Sequence, residues 1–180
     1  MSRLSRIELS KEDMKFSAGH FTIFSATERE RLHGHNFAVS AEILAEVGPE
    51  GMCFDYGVYK RELRRLCSAW DERFILQGLS PHLKIVEEGE SVWAEFNGSK
   101  IPFLASDVLI LPIRNSTLEE FSRLLLEALV DDQDALASRG VRELVVRVSS
   151  GPGQSASSQW TGRPRGGSWV ELGSESSLGS

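Results

Sequence analysis

Residues 32–47, "LHGHNFAVSAEILAEV", constrain the chain tightly, because their alternation is cleaner than that of the segment before them. Phe37, Val39, Ala41 and Ile43 fall on one face, and Asn36, Ser40 and Glu42 on the other. That period of two marks a half-buried antiparallel strand. Residues 15–24, "KFSAGHFTIF", have strand-like composition too, with Phe16, Ala18, His20 and Thr22 in phase. The polar stretch "SATERER" joins the two as a loop, and "GPEG" closes the second with a turn.

After this turn the period changes. Tyr59, Leu63, Leu66, Cys67, Trp70 and Phe74 recur at intervals of three and four, which predicts an amphipathic helix over 56–74. Ser116-Thr117-Leu118-Glu119 fits a capping box and opens a second helix. Leu118, Phe121, Leu125 and Leu129 form its buried stripe, and Gly140 stops it after Arg139. Between the helices, turn signals at Glu87-Glu88-Gly89-Glu90 and Asn97-Gly98 predict a β-meander inserted at about 80–104. Residues 141–150 read as a further strand, with Leu144, Val146 and Val148 in phase. Residues 1–160 then form one α+β domain, an antiparallel β-sheet with two helices packed on one face. Residues 161–180 are a Gly/Ser-rich tail with little to bury, expected to be mostly mobile, with Trp169-Val170 as one short strand.

A length of 180 residues supports one domain with a real core. The formal net charge is -6, and the densest basic run, "KRELRRL", is interrupted by apolar residues at helical spacing, so no nucleic-acid surface is expected. No apolar run approaches the ~18 residues of a membrane span, and the first residues lack the apolar core of a secretory signal. Cys53 and Cys67 are the only two cysteines, and a reduced, cytoplasmic protein is the simpler reading.

Three of the four histidines lie within sixteen positions. His33 and His35 share one strand face, and His20 lies on the preceding strand, where hairpin pairing would set it beside them. Three neutral imidazoles with an open fourth position make a catalytic zinc set, in which Zn2+ polarises a substrate oxygen. The competing reading is scattered surface or core histidines. His82 has no partner in sequence and reads as a loop residue.

"FSAGH", "LHGHNF", "GMCFDYGVYKREL", "WDERFIL", "LPIRNSTLEEFSRLLLEAL" and "VVRVSSGPGQSA" occur in an order that resembles the 6-pyruvoyl-tetrahydropterin synthase and 6-carboxytetrahydropterin synthase family. The resemblance covers about residues 14–156 apart from the insert. It implies the tunnelling fold (T-fold), a homo-oligomer built as a trimer or a hexamer, and zinc on His20, His33 and His35. It also implies a pterin substrate such as dihydroneopterin triphosphate, processed by side-chain elimination or carbon–carbon cleavage.

The remaining site residues match the family in part. The cysteine that family members place before His-Gly-His is absent from "ERERL", and Glu30 stands where one branch has a glutamate. A carboxylate beside the metal can shuttle a proton when its pKa suits the task; the alternative is a loop charge. Asp71 matches a family Asp-His pair at the end of the first helix, with Glu72 replacing the histidine. Ser150 stands where the family has a pterin-anchoring glutamate, leaving Glu119, Ser150 and Gln154 as candidates for substrate binding. Cys53 and Cys67 are candidate replacement nucleophiles. Three functions remain open: a zinc lyase acting on a dihydropterin, a relative with a changed and non-pterin substrate, and a non-catalytic zinc-binding oligomer.

Overall fold

The computed structural model describes residues 3–162. The tail beyond, including the expected strand at Trp169-Val170, lies outside the described residues. Two long strands, β1 (Leu4–His20) and β2 (His33–Glu46), pair antiparallel and form the centre of the sheet. Helix α1 (Gly57–Trp70) follows, then β3 (Arg73–Gln77). The insert forms β4 (Lys84–Glu88), β5 (Ser91–Phe96) and β6 (Ser99–Leu104). Strand β7 (Val108–Leu111) leads to helices α2 (Leu118–Val130) and α3 (Gln133–Ser138). Strands β8 (Val141–Gly151) and β9 (Gln154–Thr161) complete the chain.

The main sheet runs β7-β3-β1-β2-β8-β9, and β4-β5-β6 is a separate sheet. The fold class is the expected α+β, with two differences in detail. At one edge β3 lies parallel to both β1 and β7, so the sheet is mixed. A third, short helix also appears, because the expected helix to Arg139 breaks. The Asp132 side chain accepts from the Ala135 amide at 2.9 Å and caps α3 as a new start.

The first helix also ends earlier than its periodicity predicts. Asp71 leaves the helix in an extended conformation and accepts from the Ser17 amide at 2.7 Å, while the Glu72 amide donates to the Ser17 carbonyl at 2.8 Å. Strand β1 thus captures the chain at Trp70, and Phe74 lies on β3 instead of the helix. The N-cap is shifted by one residue and the reciprocal half of the box does not form, since the Thr117 amide donates to the Asn115 carbonyl. Thr117 is the N-cap, accepting from the Glu120 amide, and the Glu120 carboxylate accepts from the Arg114 amide.

One core lies between the sheet and the helices, centred on Phe16, Phe37, Trp70 and Phe121. Phe16 stacks on Phe37 at 4.9 Å, and Phe37 meets Phe121 edge-on at 5.4 Å. A second core lies on the other face, where Phe21, Ile23, Leu76 and Val108 pack against Val92, Ala94 and Phe96 of the insert. Strand β3 serves both, with Ile75 in the first core and Leu76 in the second. Burial on both faces explains why "RFIL" shows no alternation.

Candidate metal centre and its cavity

The register of β1 on β2 sets His20 directly opposite His33, and Ala18 opposite His35. All three imidazoles lie on the helix-facing side, in line with Phe16 and Phe37 below them. The ring centroids of His20 are 4.6 Å from His33 and 5.4 Å from His35, and His33 and His35 are 4.9 Å apart. One nitrogen from each can be chosen so that all three lie within 4.8 Å of one another. On the opposite face Gly19 pairs with Gly34. A Cβ on Gly19 would run into the Phe74 ring, and one on Gly34 would sit 3.2 Å from the Ala18 carbonyl oxygen. The glycines let the histidine-bearing strand ends lie this close to their neighbours.

The hydrogen bonds fix which nitrogen is available. His20 Nδ1 lies 2.9 Å from the Ser116 carbonyl oxygen, and His33 Nδ1 lies 2.8 Å from that of Arg31. A carbonyl only accepts, so each Nδ1 is assigned the proton and each Nε2 the lone pair. His20 Nε2 is buried and has no hydrogen-bond partner among the described residues. Burial holds the His20 pKa below its ordinary value, and His33 and His35 push the same way, against the Ser116 carbonyl. The neutral form is the one that ligates. A cluster of three imidazoles around an orphaned buried nitrogen fits a borderline-soft divalent metal.

The layer behind the histidines carries no mark in the sequence periodicity. Gln77, fully buried at the end of β3, donates to the Phe21 carbonyl and accepts from the Ser116 hydroxyl at 2.9 Å. Asn115 exchanges two hydrogen bonds with the Ile23 backbone. Together they tie the start of α2 to the end of β1 and hold the Ser116 carbonyl under His20. The one sequence signal is a glutamine directly after the apolar run "RFIL".

Glu30 is the nearest carboxylate. Its amide donates to the Thr22 carbonyl at 2.8 Å, and its Oε2 accepts from the Thr22 amide at 2.9 Å. The same oxygen lies 3.9 Å from His33 Nε2. Burial raises the Glu30 pKa, but the Thr22 hydrogen bond and the neighbouring imidazoles outweigh it and hold the group below its ordinary value. Glu30 therefore faces the cluster as a carboxylate at neutral pH.

A cavity of about 240 Å³ opens over these groups, walled by Thr22, Ser116 and Thr117. Glu119, Ser150 and Gln154 line it as well. The frame shift of the cap leaves Glu119 without a capping role, and its side chain is exposed at the rim. The Ser150 hydroxyl donates to Gln154 Oε1 at 3.2 Å. Asp71 does not line this cavity; its carboxylate holds the Ser17 amide. Cys67 is buried in the core with its thiol pushed up to about 12 by burial, which makes it a poor nucleophile. Cys53 lies in a larger hollow of about 580 Å³ at the far end of the sheet, where no histidine is present. Among the described residues no helix is long and apolar enough to cross a membrane.

Fold and site define a small α+β protein whose sheet holds a three-histidine cluster, able to hold a metal ion, beside a carboxylate. Comparison with known proteins agrees. The family model for 6-pyruvoyl tetrahydropterin synthase matches residues 8–159. A Pyrococcus abyssi protein, provisionally described as a 6-carboxy-5,6,7,8-tetrahydropterin synthase, is 30% identical over 89% of this chain and 94% of its own. One from Methanocaldococcus jannaschii, with the same provisional description, is 22% identical over 79% of this chain and 88% of its own. Among solved structures, the 6-pyruvoyl tetrahydropterin synthase of Plasmodium vivax superposes with a TM-score of 0.84 at 28% identity, covering 88% of this chain and 99% of that one. The Plasmodium falciparum protein gives 0.84 at 27%, covering 89% and 99%. The chain belongs to the 6-pyruvoyl tetrahydropterin synthase family.

Proposed function

We propose that this chain is a zinc-dependent lyase acting on the side chain of a dihydropterin such as 7,8-dihydroneopterin triphosphate. The observation that carries the reading is Glu30, an ionised carboxylate 3.9 Å from His33 in the wall of the histidine cavity. Two structures of the Plasmodium vivax enzyme carry alanine or cysteine at a glutamate described there as a catalytic residue. Glu30 offers the same residue type in place of the cysteine.

In this reading His20, His33 and His35 hold zinc through their Nε2 atoms or, for His35, either ring nitrogen. When bound, the metal supplies a Lewis acid for an oxygen of the substrate side chain. Glu30 acts as general base and takes a proton from that side chain, starting elimination or cleavage. The Thr22 amide keeps its Oε2 aimed at the reacting position. Glu119 at the rim and the Ser150–Gln154 pair bind the ring. Because the Ser150 hydroxyl donates to Gln154 Oε1, the Gln154 amide hydrogens remain for a ligand acceptor. This neutral pair favours a second reading, in which the same chemistry acts on a ring without the usual donor edge. We further propose a homo-oligomer, trimer or hexamer, in a reducing, cytoplasmic setting that suits the free Cys53 and Cys67.

The test is turnover of 7,8-dihydroneopterin triphosphate by the zinc-loaded protein, with products identified by mass spectrometry. Glu30→Gln should lower kcat by about 10²-fold or more at unchanged zinc content. A product-forming wild type with an equally fast Glu30→Gln rejects the base assignment. Bound zinc with no product from any dihydropterin rejects the lyase reading.

A further inference from the structure

The inserted sheet contributes no residue to the histidine cavity, yet its buried face packs against the chain that leads to Glu30. Phe21 and Ile23 follow β1 directly, and both are buried in the core they share with Val92, Ala94 and Phe96. Ile23 forms an isolated antiparallel bridge with Arg29, which returns the chain towards the site one residue before Glu30.

Arg29 is the link between the two. Its guanidinium carbon lies 5.2 Å from the centre of the Phe21 ring and 5.7 Å from that of Phe96 on β5. No ion pair joins it to a carboxylate among the described residues. Its one hydrogen bond is short and local, from Nη1 to the carbonyl oxygen of Glu30 at 2.7 Å. A cation over two desolvated aromatic faces is held in position and remains free to donate. The Glu30 residue is thereby fixed through three groups. Its amide is held by Thr22, its carboxylate by the Thr22 amide, and its carbonyl by Arg29.

We propose that Arg29 is a positioning residue for the Glu30 base, and that the insert acts in the reaction by fixing Arg29 through Phe96. The inference rests on the reading of Glu30 as general base. Misplacing a reacting group by a fraction of its hydrogen-bond length lowers the rate while leaving substrate binding largely intact. Loss of Arg29 should therefore appear in kcat.

Steady-state kinetics on the zinc-loaded full chain, with 7,8-dihydroneopterin triphosphate as substrate, provide the test. Arg29→Ala should lower kcat by roughly tenfold, with KM within about twofold and zinc content unchanged. Arg29→Lys should recover part of the loss, since an ammonium can also sit over the rings and donate. Phe96→Leu, which keeps an apolar filler in the second core, should lower kcat in the same direction and serves if Arg29→Ala does not fold. In a Glu30→Gln background Arg29→Ala should add no further loss. Wild-type kcat for both Arg29→Ala and Phe96→Leu overturns the inference while a slow Glu30→Gln leaves the base intact. An undiminished Arg29→Ala effect in the Glu30→Gln background also overturns it. A fast Glu30→Gln removes the base reading, and this inference with it.

Discussion

His20 shows how much of the site rests on a group, Gln77, that does not line the cavity. Its Nε2 is left without a partner among the described residues because Ser116 holds Nδ1, and Ser116 is held in turn by a fully buried Gln77. Partners of this kind behind metal-bound histidines tune affinity by roughly 10–100-fold. Gln77→Leu should therefore weaken zinc binding by about tenfold, measured by competition with a chromophoric chelator. Unaltered affinity would show that Ser116 is held without Gln77. At this scale the three histidines were legible, since strand phase and the spacing of two residues suffice to align His33 with His35. Glu30 was legible only through its family position. Gln77, Thr22 and Arg29 were not, because their roles depend on pairings between segments far apart in sequence or on a turn whose path the composition does not set.

The elements divide in the same way. Strand β2 and the buried stripe of α1 follow from periodicity, and the Asn97-Gly98 turn takes the positive φ values that its residues favour. The first half of β1 was hidden. Between Ser10 and Lys15 its pairing slips, so Leu9 and Met14 both point inward although five residues apart. Strand β3 was concealed because burial on both faces erases alternation and because it continues the apolar spacing of α1. Helix α2 shows that a cap can be misplaced by one residue when Ser and Thr are adjacent. Only the structure distinguishes Ser116, buried against Gln77, from Thr117, which caps. Thr117→Ala should cost about 1 kcal/mol of unfolding free energy in a urea titration, whereas a Ser116 cap would leave Thr117→Ala neutral.

For the whole molecule, the order of sequence blocks was enough to indicate the family, and the family model and the superposed structures agree. The described residues leave the sheet open at both edges, with β7 at one and the eight-residue β9 at the other. Such edges invite pairing with another copy. Light scattering coupled to gel filtration should give three or six times the mass of one chain; a monomer at micromolar concentration would contradict the proposed oligomer. The histidine cavity lies against the β8–β9 turn through Ser150 and Gln154, so the open edge and the site are neighbours.

If His20, His33 and His35 form one metal centre, as proposed, metal content measures it directly. Elemental analysis of protein purified under zinc-replete conditions should give about one zinc per chain for the wild type and close to none for His33→Ala, since losing one of three protein ligands opens the site. Substoichiometric zinc in the wild type, or equal zinc in His33→Ala, would contradict it.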